Sequence, residues 1–351
     1  MKILLFVPDN YSLKNIISSG FIQLGHRVKF INYKHFFPNW HNRLIEKTGG
    51  LSKRFTKYWY YPYLNKINQK YLYFVNKEKP DFIIVYNDQL LLPKTAREIK
   101  KVCPVFNYLG DNPFYIEGRP FNIATMQEAN HVFSPDSFWV KQIKQIGLNN
   151  VSFLLLGYDK GLNHPINVAP EEKEKYGSDL LMIGRTYRNS WGYKRALFYS
   201  KFSDMDIKIY GRGWELWFDY FPELKKRYYS LDKPLSFEMV NLLSNCSKIY
   251  PIDANPGLIY GLHIRIFDCI GSGILPLVEY RKDIDLVFNE VNIPIIYSYN
   301  EAADKAKYFL RNENERIEMI KELQSYVDRN YTPQIAAEKI IEVYKKLKNK
   351  L

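Results

Sequence analysis

Apolar residues fall along this chain in short runs, each closed by Gly, Pro, Asp or Asn and followed by a stretch with helical spacing. The first run is Lys2 to Val7, ended by Pro8-Asp9-Asn10. A near-continuous apolar run suits a parallel strand covered on both faces. A helical stretch follows to Leu24, Gly25 stops it, and Arg27 to Ile31 reads as a second strand. Strand, helix, Gly, strand is a βαβ unit. Residues 33 to 74 interrupt this rhythm. It resumes with strands over Phe82 to Tyr86, Val105 to Leu109, His131 to Phe133 and Val151 to Leu156. Pro93 fits a first helical turn, and Gly147 stops a helix from about Asp136 to Ile146.

A polar, Pro-containing stretch from Gly157 to Gly177 comes next, and then the pattern starts again. Strands are predicted over Leu180 to Ile183, Ile207 to Tyr210, Lys248 to Ile252, Ile274 to Val278 and Ile293 to Tyr297. Helical stretches such as Pro234 to Leu243 and Ile264 to Ile270 separate them, and amphipathic helices run from about Asn300 to the end. The alternation predicts two consecutive α/β domains, each a doubly wound parallel sheet. Residues 1–157 form the first, 158–178 a linker and 179–351 the second, with the last helix free to cross back to the first domain. A chain of 351 residues suits two cores. Ligands of such sheets sit at the carboxyl ends of the strands.

Composition narrows the function classes. Hydrophobic residues make up 46% and charged residues 25%, as in a folded globular protein. Cys103, Cys246 and Cys269 are odd in number and far apart, with no CxxC or His/Cys cluster, so neither a zinc site nor a disulfide framework is indicated. The N-terminal apolar run is too short for a signal peptide, and no window reads as a membrane span. The expected location is therefore cytoplasmic. The net charge of +13 asks for an anionic partner: a membrane surface, a nucleic acid or an anionic substrate. No Walker-type Gly-Lys-Ser/Thr and no GxGxxG occurs, which argues against kinase, NTPase and dinucleotide readings. Asp204-Met205-Asp206 precedes its strand and Asp283-Ile284-Asp285 sits in a charged helical stretch, so both are read as solvated surface and no metal site is expected.

Several segments, in order, carry a family resemblance. They are Tyr108-Leu109-Gly110-Asp111-Asn112-Pro113; His131 to Asp136, then Gly147 and Leu155-Leu156-Gly157-Tyr158-Asp159; Ile183-Gly184-Arg185-Thr186-Tyr187-Arg188; Tyr210-Gly211-Arg212-Gly213-Trp214; Pro234-Leu235-Ser236 to Ser247-Lys248-Ile249; and His263-Ile264-Arg265-Ile266-Phe267-Asp268 followed by Gly271-Ser272-Gly273. Over roughly residues 80 to 335 the chain resembles the CgeB-like (spore-maturation type) glycosyltransferases. The resemblance implies a GT-B fold, two Rossmann-like domains facing each other across a cleft, with the nucleotide-sugar donor held by the second domain.

The chemistry at these positions is consistent with that expectation. A diphosphate wants backbone N–H groups at a helix N-terminus and a cation. Gly184 allows close approach, and Arg185, Arg188 and Arg265 offer guanidinium groups, with His263 nearby. The resemblance implies that Asp268 binds the ribose, although Asp is one methylene shorter than the Glu usual there. Another Glu, common in retaining enzymes eight positions earlier, is replaced by Tyr260. Tyr210 to Trp214, with Gly211 among them, and the strand end at Tyr250 to Ile252 are placed to form a slot for the base, or to be core. Asp111, after a strand of the first domain, is the candidate catalytic base, and Asp9 the second candidate; the alternative for Asp111 is an Asx-type turn. The nucleotide-sugar would be a co-substrate, and no cofactor is expected.

The interruption at 33–74 is basic and aromatic. Residues 34 to 70 hold Lys34, Arg43, Lys47, Lys53, Arg54, Lys57, Lys66 and Lys70 against one acid, Glu46, with Phe36, Phe37, Trp40, Trp59, Tyr60 and Tyr61 interleaved. Three readings stand: rings packed on the core with lysines in water, an anionic membrane surface, or a nucleic-acid groove. The expected function is transfer of a sugar, from a UDP-sugar, to a hydroxyl on a glycan, a lipid-linked glycan or a protein. A catalytically silent scaffold and a glycosyltransferase acting on nucleic acid are the alternatives.

Overall fold

The computed structural model describes residues 1–8, 13–48, 51–87, 89–115 and 120–349. The chain divides into two compact units, Met1–Leu156 with Pro333–Leu351, and Gly157–Thr332. Each contains one parallel sheet of six strands.

The sheet of the first unit is built from β1 (Lys2–Phe6), β2 (Arg27–Ile31), β3 (Phe82–Tyr86), β4 (Val105–Tyr108), β5 (His131–Ser134) and β6 (Val151–Phe153), in the order β2-β1-β3-β4-β5-β6. The apolar runs explain the central places. Ile3, Leu4, Leu5 and Phe6 of β1 and Phe82 to Val85 of β3 are all fully buried, because helices cover both faces. β2 lies at an edge, where Arg27 and Lys29 reach solvent. β6 is shorter than its apolar run: Leu154, whose amide still donates to Ser134 of β5, Leu155 and Leu156 are buried beyond its end.

The last helix, Pro333–Lys348, belongs to this first unit. It buries Ala336, Ala337, Ile340, Ile341 and Tyr344, and the Tyr344 ring packs 5.2 Å from Phe82. It crosses the helix Leu13–Gln23 at Gly20, where a Cβ would lie 1.9 Å from the Pro333 carbonyl oxygen. Only glycine permits that approach.

The second unit holds β7 (Ser178–Ile183), β8 (Ile207–Gly211), β9 (Tyr228–Ser230), β10 (Ser247–Ile252), β11 (Leu275–Glu279) and β12 (Ile295–Ile296), in the order β12-β11-β10-β7-β8-β9. The order reverses between β7 and β10, which makes their carboxyl ends the switch point where doubly wound sheets bind ligands. β9 went unpredicted. It is a three-residue edge strand, Tyr-Tyr-Ser, with no apolar run to mark it. The stretch expected as a linker is bonded into this unit instead: Asn241 and Asn245 accept from the amides of His164 and Ile166, and the Tyr158 hydroxyl donates to Asp328 at 2.6 Å. The expectation that both Asp-x-Asp pairs are solvated also needs correcting. Asp204 pairs with Lys307 at the surface, but Asp283 is buried beside the helix Ile284–Val287.

Among the described residues no helix is long and apolar enough to cross a membrane, and no group of three or more His, Cys, Asp or Glu is placed to hold a metal ion. Cys103, Cys246 and Cys269 are free and buried.

Candidate active site

The turn after β7 lies at the switch point, and side chains from distant parts of the second unit hold it. Three successive carbonyls are each capped. The Tyr250 hydroxyl of β10 donates to the Ile183 carbonyl at 3.0 Å and accepts from the Ile183 amide at 2.6 Å. Trp214 Nε1 donates to the Gly184 carbonyl at 2.8 Å. Arg195 Nη1 donates to the Arg185 carbonyl at 2.7 Å. Thr186 completes the anchoring, its amide donating to the Arg212 carbonyl and its hydroxyl to the Gly213 carbonyl. A turn tied at four consecutive residues is preorganised, so a ligand that uses it need not order it first.

Arg195 is itself held from beneath. Its Nε lies 3.0 Å from both oxygens of Asp253, at the end of β10, and the two side chains are 4% and 0% exposed. Burial pushes the Asp253 carboxyl up, but the Arg195 charge in contact, helped by Arg265 and Lys194, outweighs it and leaves Asp253 below the usual carboxylate range. Trp191 Nε1 donates to the same carboxylate, and the Arg195 guanidinium sits 4.8 Å over the Trp191 ring. Trp191 in turn stacks on Tyr187, with Arg185 4.7 Å over that ring. Arg185 is thus aligned by an alternating stack of cations and rings.

Arg265 opens the helix Arg265–Ser272, facing this turn. Its guanidinium lies 5.5 Å over the Tyr250 ring, and its Nη1 is a buried nitrogen with no hydrogen-bond partner among the described residues. A Cβ at Gly184 would fall 3.3 Å from Arg265 Nη2 and 2.9 Å from Met182 Cε. The absence of a side chain at Gly184 therefore lets the Arg265 guanidinium, with its buried and unsatisfied Nη1, pack close against the turn. Leaving a buried N–H donor unsatisfied is costly, and such a donor fits an anionic ligand.

The amides that begin this helix are already engaged. Those of Ile266, Phe267 and Asp268 donate to the His263 and Ile264 carbonyls, and that of Arg265 donates to His263 Nδ1 at 3.1 Å. Side chains, with the helix dipole behind them, are left to meet an anion here. His263 is suited to this. Burial, followed by the Arg265 charge, pushes its pKa down to about 3, so the ring is neutral. Since Nδ1 accepts, the proton lies on Nε2, which becomes a donor.

Asp268, in the same helix, is partly exposed, and its Oδ1 accepts from Asn163 Nδ2 at 3.1 Å. Burial raises its pKa from 3.8 to about 7, against the opposing pull of Arg265. The sign of the consequence follows. Between pH 3.8 and about 7 the folded chain keeps a proton that the unfolded chain releases, so stability contributed by neutral Asp268 is present at low pH and lost as pH rises through 7. Asp268→Asn should therefore melt at the same temperature as the parent near pH 4 and above it from pH 7.5 upward. A melting difference that stays constant with pH would refute this.

The aromatic rings expected to form a base slot are occupied otherwise. Tyr210, Trp214 and Tyr250 are all buried. Tyr210 stacks on Tyr229 at 4.9 Å, and its carbonyl accepts from the Gly184 amide. Gly211 packs so closely that a Cβ would lie 1.9 Å from the Gly184 oxygen. These residues build the floor of the turn. Open space lies on the other side, in a cavity of ≈ 550 Å³ lined by Arg185, Thr186, Arg188, Arg212, Gly213, Glu215 and Leu216. Arg188 and Arg212, with no carboxylate paired to either among the described residues, are exposed toward solvent. Arg212 escaped the sequence reading although it stands between two of the glycines quoted there. Trp191, Arg195 and Asp253 escaped it as well, since nothing local marks them as partners.

In the first unit Asp111 follows β4 and is exposed. Its carboxylate accepts from Asn87 Nδ2 at 2.8 Å, while Asn87 Oδ1 accepts from the Gly110 and Asp111 amides. Asn87 holds φ 52°, a left-handed conformation that Asn tolerates. The Asx turn is made by Asn112, whose Oδ1 accepts from the Phe114 amide, so the Asp111 carboxylate is left facing solvent. Asp9 lies outside the described residues.

A family model described as glycosyl transferase-like matches residues 194–342, a span that includes His263, Arg265 and Asp268 but begins after the Gly184 turn. No curated protein sequence matches the chain. Solved structures share its fold. Anabaena HepE in complex with UDP and glucose is 12% identical, with a TM-score of 0.68, over 99% of this chain and 100% of that one. Sucrose-phosphate synthase from Thermosynechococcus elongatus is 9% identical, with a TM-score of 0.71, over 100% of both. The E. coli trehalose-6-phosphate structure bound with UDP-2-fluoro glucose is 10% identical, with a TM-score of 0.65, over 98% of this chain and 99% of that one. The fold is that of the GT-B glycosyltransferases.

Proposed function

We propose that this chain is a glycosyltransferase of the CgeB-like type, moving a sugar from a UDP-sugar to a hydroxyl of a glycan, a lipid-linked glycan or a protein. One observation carries the reading: the buried, unpartnered Nη1 of Arg265, brought against the Gly184 turn at the switch point of a doubly wound sheet. The UDP and UDP-sugar ligands of structures with this fold support a uridine nucleotide as donor. The three free, buried thiols suit a reducing compartment such as the cytoplasm.

In the proposed reaction the bond between the anomeric carbon and the diphosphate oxygen breaks, and the acceptor oxygen bonds to that carbon. UDP leaves with the electron pair. Arg265 and Arg185 neutralise the charge gathering on the diphosphate, and His263 Nε2 donates to it; stabilising charge that develops in the transition state is what accelerates such a step. Asp268, ionised when the ribose hydroxyls donate to it, holds the nucleoside. The acceptor proton passes to Asp111, whose carboxylate is oriented by Asn87.

The test has two parts. UDP, GDP, CDP and dTDP are first compared by thermal shift, where a ligand at a hundred times its dissociation constant stabilises by about 2.7 kcal/mol. UDP should raise the melting temperature and the others should not. Asp111→Asn should then keep the UDP shift and lose roughly a hundredfold or more in turnover, the usual scale for a general base. Full turnover in Asp111→Asn would remove that residue from the mechanism. A UDP shift without turnover of any donor would leave a nucleotide-binding scaffold.

A further inference from the structure

We propose that the exposed face carried by Trp40–Thr48 and Leu51–Tyr61 is a docking surface for an anionic lipid bilayer. The helix Tyr61–Glu78 has a well-anchored second half. Leu64, Ile67, Asn68, Tyr71 and Val75 are buried, and Tyr71 stacks 4.3 Å from Phe6 of β1. The helical turns before it, Lys53–Phe55 and Thr56–Tyr60, bury no side chain at all. Yet they carry apolar groups. Leu51 is 69% exposed, Tyr58 67%, Phe55 49% and Trp59 43%. Leu51, just before the Ser52 cap, and Phe55 and Trp59 in the turns that follow thus put three large apolar side chains in water within nine residues.

The neighbouring helix Asn39–Thr48 adds to the same character. Its Ile45 and Asn42 are buried, and Asn42 accepts from the Tyr63 hydroxyl at 2.8 Å. That contact fixes the helix against Tyr61–Glu78 and turns Trp40, Arg43, Leu44 and Lys47 outward together. Phe36 and Phe37, by contrast, are tucked against Tyr71 and Tyr63, so rings packed on the core is the right reading for those two and not for the exposed ones.

Charge selects the occupant. No carboxylate among the described residues pairs with Arg43, Lys47, Lys53, Arg54, Lys57 or Lys66. A second copy of the chain would bring the same cations face to face, which is repulsive. A nucleic acid offers matching charge, but Leu44 and Leu51 have no π-face on which a base could stack. Exposed leucines and rings ringed by lysine and arginine are what the interface of an anionic bilayer accommodates: apolar groups at the level of the acyl boundary and cations among the headgroups. The surface stands independently of the transfer reaction, since none of its residues belongs to the donor turn.

The full chain should sediment with phosphatidylcholine vesicles that contain phosphatidylglycerol, and weakly or not at all with phosphatidylcholine alone. Added salt should weaken the binding. Phe55→Ser with Trp59→Ser, and separately Lys53→Glu, Arg54→Glu and Lys57→Glu together, should each weaken it, the charge reversal by roughly a hundredfold or more. All of these positions are exposed, so both variants should keep the parent melting temperature and its response to UDP. That control separates failure of the surface from failure of the donor site. Vesicle binding unchanged in both variants would overturn the proposal, as would no binding by the parent. Binding of a single-stranded oligonucleotide that the ring variant abolishes and vesicles do not displace would assign the surface to nucleic acid instead.

Discussion

Arg265→Met is expected to lower affinity for UDP by roughly a hundredfold to a thousandfold while leaving the free protein about as stable as before. The two effects have one cause. In the free chain the guanidinium is held beside Tyr250 with Nη1 unpartnered, so the fold bears a desolvated donor without return. A diphosphate returns it: two charge-assisted hydrogen bonds at about 1.5–3 kcal/mol each amount to two or more factors of ten in affinity. Methionine keeps the length and apolar stem and removes the charge. Calorimetric titration with UDP reads the first effect and thermal melting without ligand reads the second. Unaltered UDP affinity would move the donor site away from this helix. A large loss of stability would mean that Arg265 is a structural cation.

Asp253→Ala should give the largest loss of stability of any single change at the site. Its partner Arg195 would remain buried without a counter-charge, a situation that costs about 3–5 kcal/mol. The second unit, Gly157–Thr332, is of the size at which 1 kcal/mol moves the melting temperature by about 2–4 °C, so a fall of roughly 10 °C is expected in its transition. UDP binding should fail along with stability, because Arg195 is what holds the Arg185 carbonyl. The double variant Arg195→Leu with Asp253→Leu separates the two effects. Replacing a buried ion pair by apolar residues is often nearly neutral, so melting should largely recover, while the Gly184–Arg185 turn, short of one anchor, should still bind UDP poorly. Recovery of both would show that the turn needs no support from Arg195.

These two predictions differ in how their residues can be found. Arg265 stands in a motif, Arg-x-Phe-Asp before a small residue and glycine, and reading along the chain reaches it. The pair Arg195–Asp253 spans 58 residues, Tyr250 and Ile183 are 67 apart, and Trp214 and Gly184 are 30 apart. Nothing local joins them. The first two pairs meet because β10 enters the sheet beside β7, skipping the strands between, and the third because Trp214 follows β8, the neighbour of β7 on its other side; the strand order of a parallel sheet is settled by how helices pack on its two faces. The loss of the helix amides as phosphate donors is likewise invisible in sequence, since it follows from where the His263 and Ile264 carbonyls and the His263 ring point.

What the sequence determined by itself is what depends on local pattern. Buried parallel strands need apolar runs, and eleven of the predicted runs became strands, whereas β9, held at an edge by pairing with β8, had no pattern to betray it. Glycines at Gly20, Gly184 and Gly211 could be seen as glycines, but only the packing shows that a Cβ at each would meet Pro333, Arg265 or the Gly184 carbonyl. The insertion at 33–74 was visibly basic and aromatic. Which rings it buries was decided by the tertiary structure, because Phe36 and Phe37 find Tyr71 and Tyr63 to pack against, while Leu51, Phe55 and Trp59 stay largely in water. Pattern along the chain sets what a segment can bury; only the arrangement of the other segments sets whether there is a surface to bury it on.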